Sequence, residues 1–323
     1  MSVNIETKKT TGRSRLFKEK AAAHFRLLGE QKYLLLMSVP FFIWVIVLKY
    51  LPLWGWTMAF QDYRPGISIF DQKWVGLKHF KVLFNEPDFY ISLRNTLGMS
   101  FLGITIGFIL PVLFALMLNE INNIAFKKIV QTISYLPHFI SWVIAASMIS
   151  MMLSSDGGVV NNILLNLHII NQPIQFLAIP KAFWLFFIAA DIWKEVGWNA
   201  IIHLAAISGV DQELYEAAKV DGCSRLGRIW HITLPGIRPT ILVMLIMNIG
   251  WLMSVGFERQ FLLGNSVVEQ YSRTLDMYAL NYGLSMSRYS FGTAIGMFQS
   301  IVSIILVFTA NRLAKKIGEG QIL

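Results

Sequence analysis

Six apolar stretches constrain this chain more than any other feature, because each approaches the ~20 residues a helix needs to cross a ~30 Å hydrocarbon core. They run over residues 33–58, 95–118, 129–152, 182–207, 239–256 and 291–311. With 55% of 323 residues hydrophobic and only 15% charged, the chain holds more apolar surface than one soluble domain of ordinary composition buries. The expected fold class is an all-α membrane protein with six transmembrane helices. Pro40 and Pro52 predict a kink in the first span, tolerable where neighbouring groups satisfy the freed carbonyls. Asn248, Trp251 and Ser254 interrupt the fifth, and the residues after Gly256 read as either helix or loop.

Six spans place both termini on one side, and the basic residues say which. The segments 1–32, 119–128, 208–238 and 312–323 hold eight, two, four and three Lys or Arg, against five, one and three in the alternate connections. By the positive-inside rule the first set is cytoplasmic. The expected organisation is a basic cytoplasmic tail over 1–32 with no stretch of signal-peptide character, one membrane domain over 33–311, and a cytoplasmic tail over 312–323. The outer segments 61–94 and 257–290 have room for short interfacial helices. Trp54, Trp56 and Trp74, near the outer surface, suit an interfacial aromatic belt.

Composition also excludes classes of function. The net charge of +9 in so apolar a chain fits loop anchoring and not nucleic-acid binding. The single cysteine, Cys223, rules out an internal disulfide, and no Cys/His cluster has metal-ligand spacing. No metal, cofactor or catalytic residue is expected in the chain.

The most informative segment is Asp211–Pro235, DQELYEAAKVDGCSRLGRIWHITLP, in the longest cytoplasmic connection. Asp211 predicts a helix start with Glu213 in its first turn, and Gly222 a left-handed residue ending it, so a short helix is expected over 212–221. Ser224 predicts a second helix, through Arg225, Arg228 and His231, that Pro235 ends. Ala217, Ala218 and Gly222 offer a small-residue surface that another protein can approach closely, flanked by Glu213, Glu216, Lys219 and Asp221. A solvated connecting loop accounts for the same charges, and local physics leaves the two readings open.

Glu216-Ala217-Ala218, then Gly222, then Ile232-x-Leu234-Pro235 resembles the EAA motif of binding-protein-dependent ABC importer permeases of type I, and every spacing fits. Trp193-Lys194-Glu195-Val196-Gly197-Trp198-Asn199 and Gly256-Phe257-Glu258 are similar to the carbohydrate branch, in particular permeases for oligosaccharides such as aldouronates and alginate fragments. The likeness runs from the first span to the C-terminal tail. Cys223 departs from the alanine common there; both are small. The resemblance implies that Glu216, Ala217, Ala218, Asp221, Gly222, Leu234 and Pro235 form a coupling loop between spans four and five that docks on a cytoplasmic ATPase. It implies a second homologous permease subunit, an ATPase dimer that binds ATP and magnesium, and an extracytoplasmic solute-binding protein. This chain then transmits the energy of ATP without hydrolysing it, in keeping with its lack of a GxxxxGK[ST] phosphate loop.

Span four carries Asp191, Lys194 and Glu195 roughly 13–20 Å along a helix starting at Ala182, near the bilayer midplane. Charges at that depth are costly and normally face a protein interior or an aqueous cavity. With Trp198 they fall at i, i+3, i+4 and i+7, one helical face, where Lys194 can pair with either carboxylate. An ion-paired packing cluster and a lining of the translocation path both fit. Asn199, and Asn248 and Trp251 on span five, complete the substrate-path candidates, since amide and aromatic groups suit the hydroxyls and ring faces of a sugar. Lys194 would favour an acidic saccharide. Glu258, Arg259, Asn281 and Tyr282 are candidates for contacting the solute-binding protein.

Three other functions compete. A secondary transporter would need its own ion-coupling site and often shows inverted repeats, which are not apparent here, although Asp191, Lys194 and Glu195 could relay protons. A membrane-embedded enzyme lacks support, because His138, His168, His203 and His231 are scattered and no HExxH or GxSxG occurs. An ABC importer permease for a non-sugar solute is the nearest rival.

Overall fold

The computed structural model describes residues 31–316, so most of the basic 1–32 tail and the end of the 312–323 tail lie outside the described residues. The described residues are helical without a strand, apart from one isolated bridge between Gln61 and Trp74. The long elements are α1 (Lys32–Phe60), α2 (Pro87–Asn119), α5 (Phe183–Ser208), α7 (Arg225–Gly250) and α9 (Tyr289–Lys316). Between them lie α3 (Ile124–Phe139), α4 (Trp142–Met152), the short α6 (Gln212–Val220) and α8 (Glu258–Leu263). The chain divides into Met1–Thr57, of which the greater part of α1 is the described portion, and Met58–Leu323, which holds every element from α2 onward.

By length and composition α1, α2, α7 and α9 can each cross a membrane, and α3 with α4 forms a fifth, bent span. α5 is as long as α7, at 26 residues, but Asp191, Lys194 and Glu195 at its centre make it too charged to qualify on composition. Its buried face includes Phe183, Phe187, Ile188, Ala190, Lys194, Gly197, Ala200, His203 and Ile207, which seats it among its neighbours instead of in lipid.

Two boundaries differ from the sequence expectation for identifiable reasons. The third span is not straight: α3 and α4 meet at 104°, because Pro137 lies in a 3₁₀ turn over Leu136–Phe139 and Ser141 caps α4 by accepting from the Ile144 amide. The fifth begins not at 239 but at Arg225. Pro235 does not end the preceding helix, since a π turn over Ile229–Thr233 widens the ladder just before it and leaves the proline at the start of the next α segment, where its missing N–H costs nothing. Similar π turns over Ile46–Tyr50 and Gly103–Gly107 precede Pro52 and Pro111. Each relieves the clash a proline ring makes with the carbonyl four residues back.

Within Met58–Leu323 the apolar core forms three clusters. One joins Val112, Ala115 and Leu116 of α2 to Ala200 and Ile207 of α5 and Ile237 of α7. A second packs Met99, Phe183, Phe187 and Ala190 against Val255, Leu263 and Val268, and the third gathers Leu83, Phe89, Met253, Leu275, Tyr278, Phe291 and Ile295. Outside these, apolar side chains such as Ile109, Leu113, Met117 and Phe308 stay exposed, as a lipid-facing surface requires.

The 257–290 segment is tied to α2 by polar bonds that hydropathy does not reveal. Arg273 grips Asp88 through both terminal nitrogens, at 2.7 and 3.2 Å, and the Tyr282 hydroxyl donates to the same carboxylate. Buried Asn95 donates to the Gln270 and Arg273 carbonyls, and Thr96 accepts from the Leu275 amide. Half-buried Tyr282 thus takes part in the link to α2.

α7 stops at Gly250, and the turn leading to α8 is held by Asp276, which accepts from the Ser254 hydroxyl, the Gly256 amide at 2.8 Å and the Gln299 side-chain amide at 3.1 Å. Gly256 is left-handed there, with φ +79°. Asp276→Asn keeps the shape but turns an NH2 toward these donors. It is expected to cost about 1.5–3 kcal/mol, the worth of hydrogen bonds to a charged acceptor, and to lower the melting temperature of the purified protein. An unchanged melting temperature would show that the turn does not depend on this carboxylate.

Candidate functional site

The 208–238 segment folds as its local sequence dictates. The Asp211 side chain accepts from the Glu213 amide at 3.0 Å and starts α6. At its other end the Gly222 amide donates to the Lys219 carbonyl and the Cys223 amide to the Ala218 carbonyl at 2.8 Å, the paired bonds of a Schellman cap, with Gly222 at φ +71°. Ser224 then accepts from the Gly227 amide and starts α7. Tyr215 on α6 shares a 2.9 Å hydrogen bond with buried Thr233 in the π turn of α7, which fixes the two helices to each other. Because α7 runs on through Leu234 and Pro235, motion of this tip is motion of a membrane helix.

The exposed surface of the tip is mixed. Glu216, Ala217, Asp221, Gly222 and Pro235 are exposed, while Ala218, Leu234 and Cys223 are half-buried. Around them Val220 is 88% exposed, Leu226 70% and Trp230 67%, more apolar surface than a solvated connector needs.

In the middle of α5 the four residues of one face part company. Lys194, 4% exposed, does not take Asp191: it donates to Glu195 at 3.0 Å and to the His138 carbonyl at 2.8 Å, which the α3–α4 break leaves without a helical partner. The His138 ring meets the other Glu195 oxygen at 2.6 Å and lies flat on Trp198, with ring centroids 4.2 Å apart. Gly197 permits this approach, since a Cβ there would overlap the Ser134 carbonyl of α3.

Asp191 is instead bonded to Arg259, which comes from α8. The guanidinium also donates to the Val255 carbonyl and lies over the rings of Phe187 and Trp142, at 5.0 and 5.6 Å. Two cavities meet at this pair. The smaller, about 160 Å³, is walled by α2, α5 and α7 and collects Asp191, Asn199, Asn248, Trp251, Ser254 and Arg259. The larger, about 440 Å³, is lined by Trp142, Asp191, Glu195, Phe257, Glu258 and Arg259. Of the substrate-path candidates, the structure brings Asp191, Asn199, Asn248 and Trp251 together and sets Lys194 and Trp198 apart with His138. Glu195 touches both groups.

The family model described as binding-protein-dependent transport system inner membrane component matches residues 89–318. The chain belongs to this family. It is 46% identical, over 94% of each chain, to the polygalacturonan/rhamnogalacturonan transport system permease protein YteP of Bacillus subtilis (strain 168). It is 41% identical to Protein LplB of the same organism, over 90% of this chain and 91% of that one. Among solved structures it superposes on a chain of a bacterial ABC transporter involved in the import of the acidic polysaccharide alginate, with a TM-score of 0.83 and 38% identity over 94% of this chain and 99% of the other. A structure of a bacterial alginate ABC transporter in complex with its alginate pentasaccharide-bound periplasmic protein matches with a TM-score of 0.84 and 37% identity.

This inner-membrane component is thus a multi-pass permease subunit of an ABC importer, with the type I permease fold, and its work is transport and not catalysis. Two residues were not legible as members of this central cluster. His138 sits among apolar residues at a helix break, and Arg259 lies 68 positions from Asp191, beyond any helical spacing. A lone basic residue just after Gly256, facing a span with two carboxylates, was the available signal for the second.

Proposed function

We propose that this permease moves an oligosaccharide, acidic in character, into the cytoplasm as one of two non-identical permease subunits. The observation that carries this reading is the cavity where Asn199, Asn248, Trp251 and the Asp191–Arg259 pair converge, in a fold shared at 38% identity with a transporter of the acidic polysaccharide alginate. The relative named for polygalacturonan and rhamnogalacturonan transport points to the same substrate class. The five spans that qualify by length and composition are joined by α5 as the sixth, with both termini and 208–238 cytoplasmic by the distribution of Lys and Arg. The solute-binding protein lies outside, as the alginate complex with a periplasmic protein suggests.

In this reading Glu216, Ala217, Ala218, Asp221, Gly222, Leu234 and Pro235 couple to an ATPase dimer that holds ATP and magnesium, and this chain needs no cofactor of its own. ATP-driven closure of that dimer shifts α6 and, through the Tyr215–Thr233 bond, α7 between two states. The organisation in this reading is a cytoplasmic tail over 1–32, one membrane domain over 33–311 and a cytoplasmic tail over 312–323.

The test is uptake of labelled oligogalacturonate into proteoliposomes holding the purified complex. Uptake should require ATP and the binding protein together. Uptake driven by an ion gradient without ATP would show a secondary transporter, and stimulation of ATP hydrolysis by an amino acid but by no saccharide would show a non-sugar importer. Native mass spectrometry is expected to show a second, different permease chain; an active homodimer would overturn that part.

A further inference from the structure

Resting on the acidic-saccharide reading, we propose that Arg259 is the specificity-determining residue of the path: its guanidinium, seated on Phe187 and Trp142 beside Asp191, receives the carboxylate of the sugar. An ionised carboxylate entering a low-dielectric passage must find a cation or pay heavily for desolvation. Lys194, the cation that sequence favoured for this role, is spoken for: it is buried, and both Glu195 and the His138 carbonyl occupy its ammonium. Among the described residues Arg259 is the sole basic side chain lining either of the two central cavities, and it lines both.

Its geometry suits the task. A guanidinium carries five N–H donors in a rigid fork that matches a carboxylate. Among the described residues it makes two hydrogen bonds, one to Asp191 and one to the Val255 carbonyl, which leaves donors for a ligand without requiring that Asp191 let go. Phe187 and Trp142 beneath the planar group keep it from swinging away. The smaller cavity is where this counts, since its charged lining is Asp191 and Arg259, whereas the larger one adds Glu195 and Glu258. Asn199, Asn248 and Trp251 stand on the same walls to meet hydroxyls and a ring face.

The experiment compares an oligogalacturonate with its methyl ester, equal in length and neutral, binding directly to the purified transporter complex by calorimetry. Wild type should prefer the acid roughly ten- to hundredfold, the worth of charge-assisted hydrogen bonds. Arg259→Gln should abolish the preference by weakening the acid and sparing the ester, and Arg259→Lys should recover part of it. Asp191→Asn, which leaves the cation in place and removes the competing charge, should raise it, and this variant decides the matter if Arg259→Gln does not assemble. A wild type that binds both sugars equally, an Arg259→Gln complex that keeps the wild-type ratio, or an Asp191→Asn complex with a lowered one would overturn the assignment. Failure of wild-type proteoliposomes to take up any saccharide would instead overturn the functional reading on which it stands.

Discussion

Glu195→Leu is expected to destabilise the protein by about 3–5 kcal/mol, the cost of stranding a buried charge by removing its partner. Lys194 is held by two acceptors at 3.0 and 2.8 Å, one of them Glu195, and without that carboxylate its ammonium keeps one neutral carbonyl and the face of Trp142 at 5.4 Å. The His138 ring loses its 2.6 Å partner in the same step, so the α3–α4 break and α5 come apart together. Lys194→Met with Glu195→Leu should recover most of the loss, because a buried ion pair replaced by apolar groups of similar volume is often neutral. Thermal unfolding of the purified complex, with the amount of inserted protein, measures both. Equal stability of Glu195→Leu and wild type would mean that this cluster does not anchor the span.

That cluster shows why the sequence could be read only so far. The spacing of Asp191, Lys194, Glu195 and Trp198 places them on one face of α5, and helical period alone leaves packing and path lining open. The structure divides the face by what approaches it. α3 brings a broken end whose His138 carbonyl and ring claim Lys194 and Glu195, and α8 brings Arg259 to Asp191. Neither partner is near in sequence, and both come from irregular backbone, which apolar periodicity does not register. The caps at Asp211, Gly222 and Ser224 were legible because each acts on its own neighbours within about four residues. Pro235 was misread for a related reason: a proline forbids one hydrogen bond, but whether the helix stops or widens into a π turn depends on what packs around it, here Thr233 buried beneath Tyr215. α5 counts as a span on its apolar residues, while its three central charges keep it from qualifying on composition; they are paired inside the protein.

Gly222→Leu, under the coupling role proposed above, should abolish uptake in a protein that inserts normally. Gly222 sits at φ +71° with open space around the position a Cβ would take, so the fold has no clash to suffer. What a bulky residue meets is the left-handed backbone, at roughly 1–2 kcal/mol, and the exposed turn can escape that strain by unwinding. Unwinding breaks the Schellman bonds to Lys219 and Ala218, moves the Ser224 cap and changes the angle at which α6 leaves α7. The tip that docks is then misplaced and enlarged, while the helices in the membrane are untouched. Gly222→Asn, which tolerates positive φ, should retain more transport than Gly222→Leu. Glu216→Ala separates contact from shape: exposed Glu216 should cost under about 0.5 kcal/mol of stability. Loss of a charge-assisted bond to the ATPase should nonetheless weaken its capture roughly ten- to hundredfold. Membrane level, ATPase co-purification and uptake, measured side by side, read out all three variants. Normal uptake by Gly222→Leu at a normal membrane level would leave this segment a connector and remove the basis for assigning it to coupling.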